Sequence, residues 1–315
     1  MDVFLILTFV AGFIFLIKGA NLLVTGSSSL AKNFGVSDLF IGLTIVAFGT
    51  SAPELIVNIN AAIRGGTDIG IGNILGSNIT NIFLILGISS LVVPLVVKLE
   101  TIRLEIPLSL LAVVLLWFMV SDGVLSRFDG LIFVLLFLAF LSLLFRRSRR
   151  TVNFGKFKTS KAYSKKYSIF MILAGLVGLF FGGEWLVSSS IELAKLFGIS
   201  DAVIGLTVIA FGTTLPEMAA SLTAVYKRKK DIAVGNVVGS NIFNIFFILG
   251  LAGLIRPITV SNDLLNGVMA VIFATLMLLA SLFVGKKYVL EKWQGVYFVI
   301  TYLVYVIYIF YVVVG

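Results

Sequence analysis

Residues 41–54 read IGLTIVAFGTSAPE and residues 204–217 read IGLTVIAFGTTLPE, with Glu217 lying 163 positions after Glu54. The same offset continues through GNILGSNITNIFLILG (72–87) and GNVVGSNIFNIFFILG (235–250), and Pro94 then matches Pro257. Upstream, Gly12, Gly19 and Ser37-Asp38 match Gly175, Gly182 and Ser200-Asp201. From Ile41 to Pro94 roughly half of the positions are identical to their partners, which marks an internal repeat. Apolar helices resemble one another by composition, but shared Asn, Pro, Glu and Gly at fixed spacing require a duplication.

The 315 residues are 59% hydrophobic and only 12% charged, with a mean hydropathy of +1.13. A soluble domain carries about 25% charged residues, so most of this surface must face something other than water. Apolar runs of about 20 residues, the length that crosses a bilayer core as a helix, recur throughout. They predict an all-α integral membrane protein with ten spans: Val3–Val24, Leu39–Ile63, Ile69–Val93, Leu104–Val120, Phe128–Phe145, Ile169–Val187, Ala202–Tyr226, Ile232–Ile255, Leu264–Val284 and Trp293–Val313. The first run lacks a basic leader and is too long for the core of a signal peptide, so it reads as a retained helix.

With ten spans the loops alternate between sides, and 19 of the 24 Lys and Arg residues fall on one side. That bias places both termini outside and the central loop in the cytoplasm of a multi-pass cell-membrane protein. The net charge of +9 is thereby explained by orientation, without nucleic acid as a partner. The predicted organisation is a first five-helix repeat (1–145), a basic linker (146–167) and a second five-helix repeat (168–315). An odd number of spans per half inverts the second repeat relative to the first. Inverted repeats of this kind place a substrate site near the midplane, between the halves of a secondary transporter.

Cysteine and histidine are both absent, which leaves oxygen ligands alone for any metal ion. Glu54 and Glu217 lie well inside their spans, where an ionised side chain costs at least about 2.5–3.5 kcal/mol unless it is paired or hydrated. No Lys or Arg lies in the predicted apolar cores beside them, so bound cations are the expected compensation. Pro53 and Pro216 precede the glutamates and deny a hydrogen bond to the carbonyls four residues back, those of Gly49 and Gly212. A backbone broken at membrane depth survives where it lines a cavity, and freed carbonyls suit Na⁺ or Ca²⁺. Thr50 stands four residues before Glu54, on one helical face, with Ser51 adjacent; Thr213, Thr214 and Glu217 repeat the pattern. On the next helices Asn73, Ser77 and Asn81 form one stripe, and Asn236, Ser240 and Asn244 another. Asn81 and Asn244 read as lining a cavity, whereas Asn73, Asn78, Asn236 and Asn241 read as structural interhelical hydrogen bonding.

GTSAPE with GNILGSNITN, and GTTLPE with GNVVGSNIFN, resemble the two α-repeats of the cation/calcium exchanger superfamily, and most of all those of prokaryotic sodium/calcium exchangers. The resemblance covers the whole chain. It implies a row of four ion sites between the second, third, seventh and eighth spans. Glu54, Glu217, Thr50 and Thr213 would surround Ca²⁺. Ser51, Ser77 and the carbonyl of Ala47 would help hold one Na⁺; Thr214, Ser240 and the carbonyl of Ala210 would hold another. Asn81 and Asn244 would border a middle site. It also implies that the first and sixth spans slide across this core, with Gly12, Gly19, Gly175 and Gly182 giving them close contact. Some relatives carry Asp where this chain has Asn244, and asparagine there suggests no requirement for K⁺.

The expected function is Na⁺/Ca²⁺ antiport by alternating access, with the glutamates as shared ligands. The alternative is H⁺/Ca²⁺ antiport through the same carboxylates. A cation channel fits poorly with inverted repeats and a proline-broken site. An enzyme fits poorly with a lining that lacks a nucleophile–base pair with His or Cys. The expected substrates are Ca²⁺ and Na⁺, with the lipid bilayer as surroundings; no cofactor and no obligate protein partner are indicated.

Overall fold

The computed structural model describes residues 3–65, 67–150, 162–196 and 210–314. Its helices are α1 (Val3–Phe34), α2 (Asp38–Thr50), α3 (Ala52–Arg64), α4 (Ile69–Val92), α5 (Thr101–Met119), α6 (Arg127–Arg150), α7 (Lys165–Leu196), α8 (Ala210–Gly212), α9 (Leu215–Tyr226), α10 (Lys230–Ile255), α11 (Asn262–Ser281) and α12 (Lys292–Val314). Among the described residues, eight helices are long and apolar enough to cross a membrane. Counted together as one broken span, the bent pair α2–α3 brings the number to nine. The predicted tenth, Ala202–Tyr226, is represented by α8 and α9; its residues up to 209 lie outside the described ones.

Two predicted spans are too short. α1 and α7 each run for 32 residues, about 48 Å at 1.5 Å per residue, well beyond the ~30 Å apolar core of a bilayer. The extension of α1 carries Ser27, Ser28 and Ser29, all buried, so polar residues that look like a span end in sequence continue the helix under protein cover. α6 continues to Arg150 and α7 begins at Lys165, so both helices run into the basic segment 146–167. Residues 151–161 lie outside the described ones.

α1 and α7 pack together through glycines. A methyl group at Gly19 would stand 2.7 Å from the Leu179 nitrogen and 2.8 Å from the Gly175 oxygen. One at Gly182 would stand 2.5 Å from the Leu16 nitrogen. Absence of side chains on both faces lets the two backbones touch.

At the centre, α4 and α10 are mostly buried, while α1, α6, α11 and α12 expose most of their apolar surface, as expected of helices facing lipid. Two short antiparallel ribbons tie the loops. β1 (Leu95–Val96) pairs with β4 (Val289–Leu290), and β2 (Val124–Leu125) pairs with β3 (Ile258–Thr259). β1 and β3 occupy matching repeat positions, so each ribbon takes one strand from each half of the chain.

Candidate ion-binding site

The break between α2 and α3 falls at Ser51 (φ −82°, ψ 12°), with a bend of 48°. Pro53 lies at the start of α3, where its missing N–H costs nothing. The corresponding break between α8 and α9 falls at Thr214 (φ −87°, ψ 0°), with Pro216 placed the same way. Both glutamates therefore sit in the first turn of a new helix, Glu54 in α3 and Glu217 in α9. The N-terminal partial positive charge of a helix favours a carboxylate there.

α4 and α10 carry a second matched device. Each turns into a π-helix, over Thr80–Leu86 and Phe243–Leu249, at repeat positions that coincide. One extra residue per turn rotates the following side chains, and such segments recur at functional sites. Asn81 and Asn244 lie within these wide turns. Nothing in the apolar periodicity announced them.

Glu54 and Glu217 are 0% and 1% exposed, and no Lys or Arg pairs with either among the described residues. The two carboxylates are close enough to feel each other's charge. Ser51 donates to Glu217 Oε1 at 2.7 Å and lies 3.0 Å from the Ser240 hydroxyl. Ser77 donates to Glu54 Oε1 at 3.4 Å. Thr213 lies beside Glu54 and Thr50 beside Glu217. Thr50 Oγ1 is 3.1 Å from Asn236 Oδ1, and Asn73 Nδ2 donates to Thr213 Oγ1 at 3.1 Å.

Ser51 to Glu217, Thr50 to Asn236 and Asn73 to Thr213 cross between the halves, whereas Ser77 to Glu54 stays within the first. Thr50 Oγ1 also donates to the Val46 carbonyl at 3.0 Å, on the far side of the break at Ser51 from Glu54. Ser51 groups with Ser240 and Glu217, while Ser77 groups with Glu54. Thr214 Oγ1 donates to Phe211 O at 2.9 Å, so its hydroxyl is turned onto its own backbone. The Ala47 carbonyl accepts the Ser51 N–H at 3.0 Å, which leaves its second lone pair. In the second half Thr214 N–H instead reaches Phe211 O at 3.2 Å, one residue short of Ala210, so the two breaks differ in detail.

Four asparagines close the centre. Asn81 Nδ2 donates to Asn241 Oδ1 at 2.9 Å and Asn244 Nδ2 donates to Asn78 Oδ1 at 3.0 Å. With their amide nitrogens engaged, Asn81 and Asn244 are left with side-chain oxygens that have no partner. Glu54 Oε2 and Glu217 Oε2 are unpartnered as well. Buried acceptors left without donors require an explanation. Four such oxygens, two on carboxylates, surrounded by hydroxyls and without a protein cation, have the chemistry of a hard-cation site. Asn78 and Asn241 make the interhelical hydrogen bonds expected of them, and those bonds leave the Asn81 and Asn244 oxygens bare. Asn236 also joins the site, donating to Ser221 Oγ at 3.0 Å and to the Glu217 carbonyl at 3.3 Å.

Helices long enough to span a membrane, with one broken opposite a buried acidic centre, define a polytopic ion-transport protein. Residues 4–146 and 167–311 match the family model described as "Sodium/calcium exchanger protein". The chain is 40% identical to a putative antiporter, CaxA, of Alkalimonas amylolytica over 253 residues, covering 78% of this chain and 79% of that protein. It is 33% identical to the sodium/calcium exchanger MaX1 of Methanosarcina acetivorans, over 96% of this chain and 97% of that one. A solved structure of the sodium-calcium exchanger NCX_Mj superposes with a TM-score of 0.84 at 32% identity, covering 96% of this chain and 98% of that chain. The chain belongs to the sodium/calcium exchanger family, whose members are transporters rather than enzymes. Cation/Ca²⁺ antiport in a membrane is thus its class of activity.

Proposed function

We propose that the protein exchanges Na⁺ for Ca²⁺ by alternating access, with Glu54 and Glu217 as ligands shared by both ions. The observation that carries this reading is the set of four buried, unpartnered oxygens on Glu54, Glu217, Asn81 and Asn244. Ca²⁺ takes 6–8 oxygens, and the two carboxylates with Thr50 and Thr213 supply the charge and part of the shell. Na⁺ ions occupy the flanking positions, one at Ser51, Ser240 and Glu217, the other at Ser77 and Glu54, with the Ala47 and Ala210 carbonyls and Thr214 at their edges. Asn81 and Asn244 border the middle. Ca²⁺ and the full set of Na⁺ compete for the same oxygens, so occupancy by one excludes the other. That competition is the coupling.

In this reading the chain has ten spans in two inverted five-helix repeats, 1–145 and 168–315, joined by the basic segment 146–167. Both termini are outside, and the basic loops face the cytoplasm. Cross-half ribbons and cross-half hydroxyl–carboxylate contacts are what a two-fold relation in the membrane plane produces. The glycine-faced pair α1–α7 moves as one body over α2 and α8. There Gly49 meets the Leu176 side chain and Gly212 meets that of Val187.

Reconstituted vesicles test the proposal. A Na⁺ gradient imposed at clamped pH drives Ca²⁺ uptake in the wild type, and Glu54→Gln abolishes it. Uptake driven only by a pH gradient would assign H⁺ as the counter-ion. Na⁺-driven flux retained by Glu54→Gln would overturn the ligand assignment.

A further inference from the structure

A cavity of about 290 Å³ opens where the start of α2, the loop after β1 and the turn between α9 and α10 meet. Its charged lining is Asp38, Lys98, Arg228, Lys229, Lys230 and Asp231. Both carboxylates are already engaged, Asp231 by Lys98 at 2.6 Å and Asp38 by Lys229 at 2.9 Å. Lys230 donates to the Pro94 carbonyl at 2.8 Å. Among the described residues no acid or hydrogen-bond acceptor is paired with the Arg228 guanidinium. Four cations against two satisfied carboxylates leave a surplus of positive charge in a concave site.

The repeat shows that this charge is not demanded by the fold. The turn closing α9 ends with Arg228 N–H to Val225 O and Lys229 N–H to Ala224 O. This is a helix C-terminal motif whose left-handed position is normally glycine. Arg228 occupies it with φ 59°; its counterpart 163 positions earlier, Gly65, has φ 85°. The same left-handed residue is thus built twice, once with glycine and once with an arginine that the conformation disfavours. Lys229, Lys230 and Lys98 correspond to Gly66, Thr67 and Ser261, so the sister turn has no cation at these positions; the Arg256 side chain stands against Gly65 instead. A general excess of positive charge on one face accounts for the sign of these residues, but not for an arginine in a glycine position over a cavity.

We propose that this cavity binds a phosphate group, presented by the headgroup of an anionic phospholipid in the leaflet on the basic face. Guanidinium and ammonium donors around a concave opening are the chemistry that takes phosphate oxygens, and basic pockets at helix ends on the cytoplasmic side hold such headgroups. Arg228 supplies the uncommitted fork, and Lys230 and Lys98 supply flanking charge. The site lies apart from Glu54 and Glu217, so its occupancy is read without transport.

The experiment uses the full-length protein in a neutral detergent, titrated with short-chain phosphatidylglycerol, short-chain phosphatidylcholine and inorganic phosphate. The variant Arg228→Gly installs the residue of the sister turn and relieves the left-handed conformation, so folding is preserved; Lys230→Thr is the second variant. The wild type binds phosphatidylglycerol at least about tenfold more tightly than phosphatidylcholine, and Arg228→Gly removes about tenfold of that preference. Inorganic phosphate competes with the lipid. Phosphate binding as tightly as the lipid, and lost in Arg228→Gly, supports the site with a soluble phosphate as its source. No binding of either ligand, or equal binding by wild type and Arg228→Gly, overturns the proposal.

Discussion

Asn78→Ala tests the central geometry most directly. Asn78 is fully buried and its Oδ1 accepts the Asn244 amide at 3.0 Å. Truncation deletes that acceptor and strands the Asn244 donor in a dry interior. Loss of a buried hydrogen bond with a donor left unsatisfied costs about 1–3 kcal/mol. Asn244 can recover part of this by turning its amide toward the ion-binding side, which presents an N–H where its oxygen stood. Either way the oxygen is no longer held toward Glu54 and Glu217. A cost of about 1.4 kcal/mol to ion binding is tenfold in affinity, so Asn78→Ala raises the Ca²⁺ concentration for half-maximal exchange by about tenfold or more. Asn241→Ala does the same through Asn81, by way of the 2.9 Å bond. The assay is Na⁺-driven Ca²⁺ uptake at varied Ca²⁺, beside thermal melting in the absence of Ca²⁺. Lower melting with unchanged Ca²⁺ affinity in both variants would show that the asparagines brace the helices without positioning ligands, and the reasoning would fail.

Three further outcomes follow from the same geometry. Ser51→Ala removes the 2.7 Å donor to Glu217 and weakens Na⁺ dependence about tenfold or more, a charge-assisted hydrogen bond being worth about 1.5–3 kcal/mol; Na⁺ titration of the flux checks it. Gly175→Ala puts a methyl 2.5 Å from the Leu23 nitrogen and 2.8 Å from the Gly19 oxygen, overpacking the α1–α7 seam by about 1–3 kcal/mol. Its melting temperature falls and turnover slows, with Ca²⁺ affinity kept within about threefold of wild type on the expectation that the seam does not touch the ions. Saturating Ca²⁺ raises the melting temperature of the wild type, by about 2.7 kcal/mol of stabilisation at a hundredfold excess over Kd, and Glu217→Gln abolishes that rise.

Much of the site was legible because duplication repeats chemistry at fixed offsets. Glu54 with Glu217 and Ser77 with Ser240 could be paired on the page, and the structure brings all four together around one centre. Asn78 and Asn241 were legible as interhelical hydrogen-bonding residues, but their partners were not. Which asparagine donates and which is left with a bare oxygen depends on contacts between α4 and α10, more than 150 residues apart in the chain. The helix α1 outran its expected span because the buried Ser27, Ser28 and Ser29 mimic a span terminus when only hydropathy is read.

The sequence by itself determined a membrane-embedded helical chain, its duplicated halves, the acidic pair and the proline that breaks each helix before it, since these follow from residue type, spacing and the cost of charge in lipid. Tertiary structure alone decided that Ser51 of one half serves the Glu217 carboxylate of the other while Ser77 serves Glu54 of its own, and that matched π-turns set Asn81 and Asn244 at the centre. The physical reason is that a break at Ser51 redirects everything before it by 48°. The face a side chain shows beyond such a break is set by what packs against it, not by its distance along the chain.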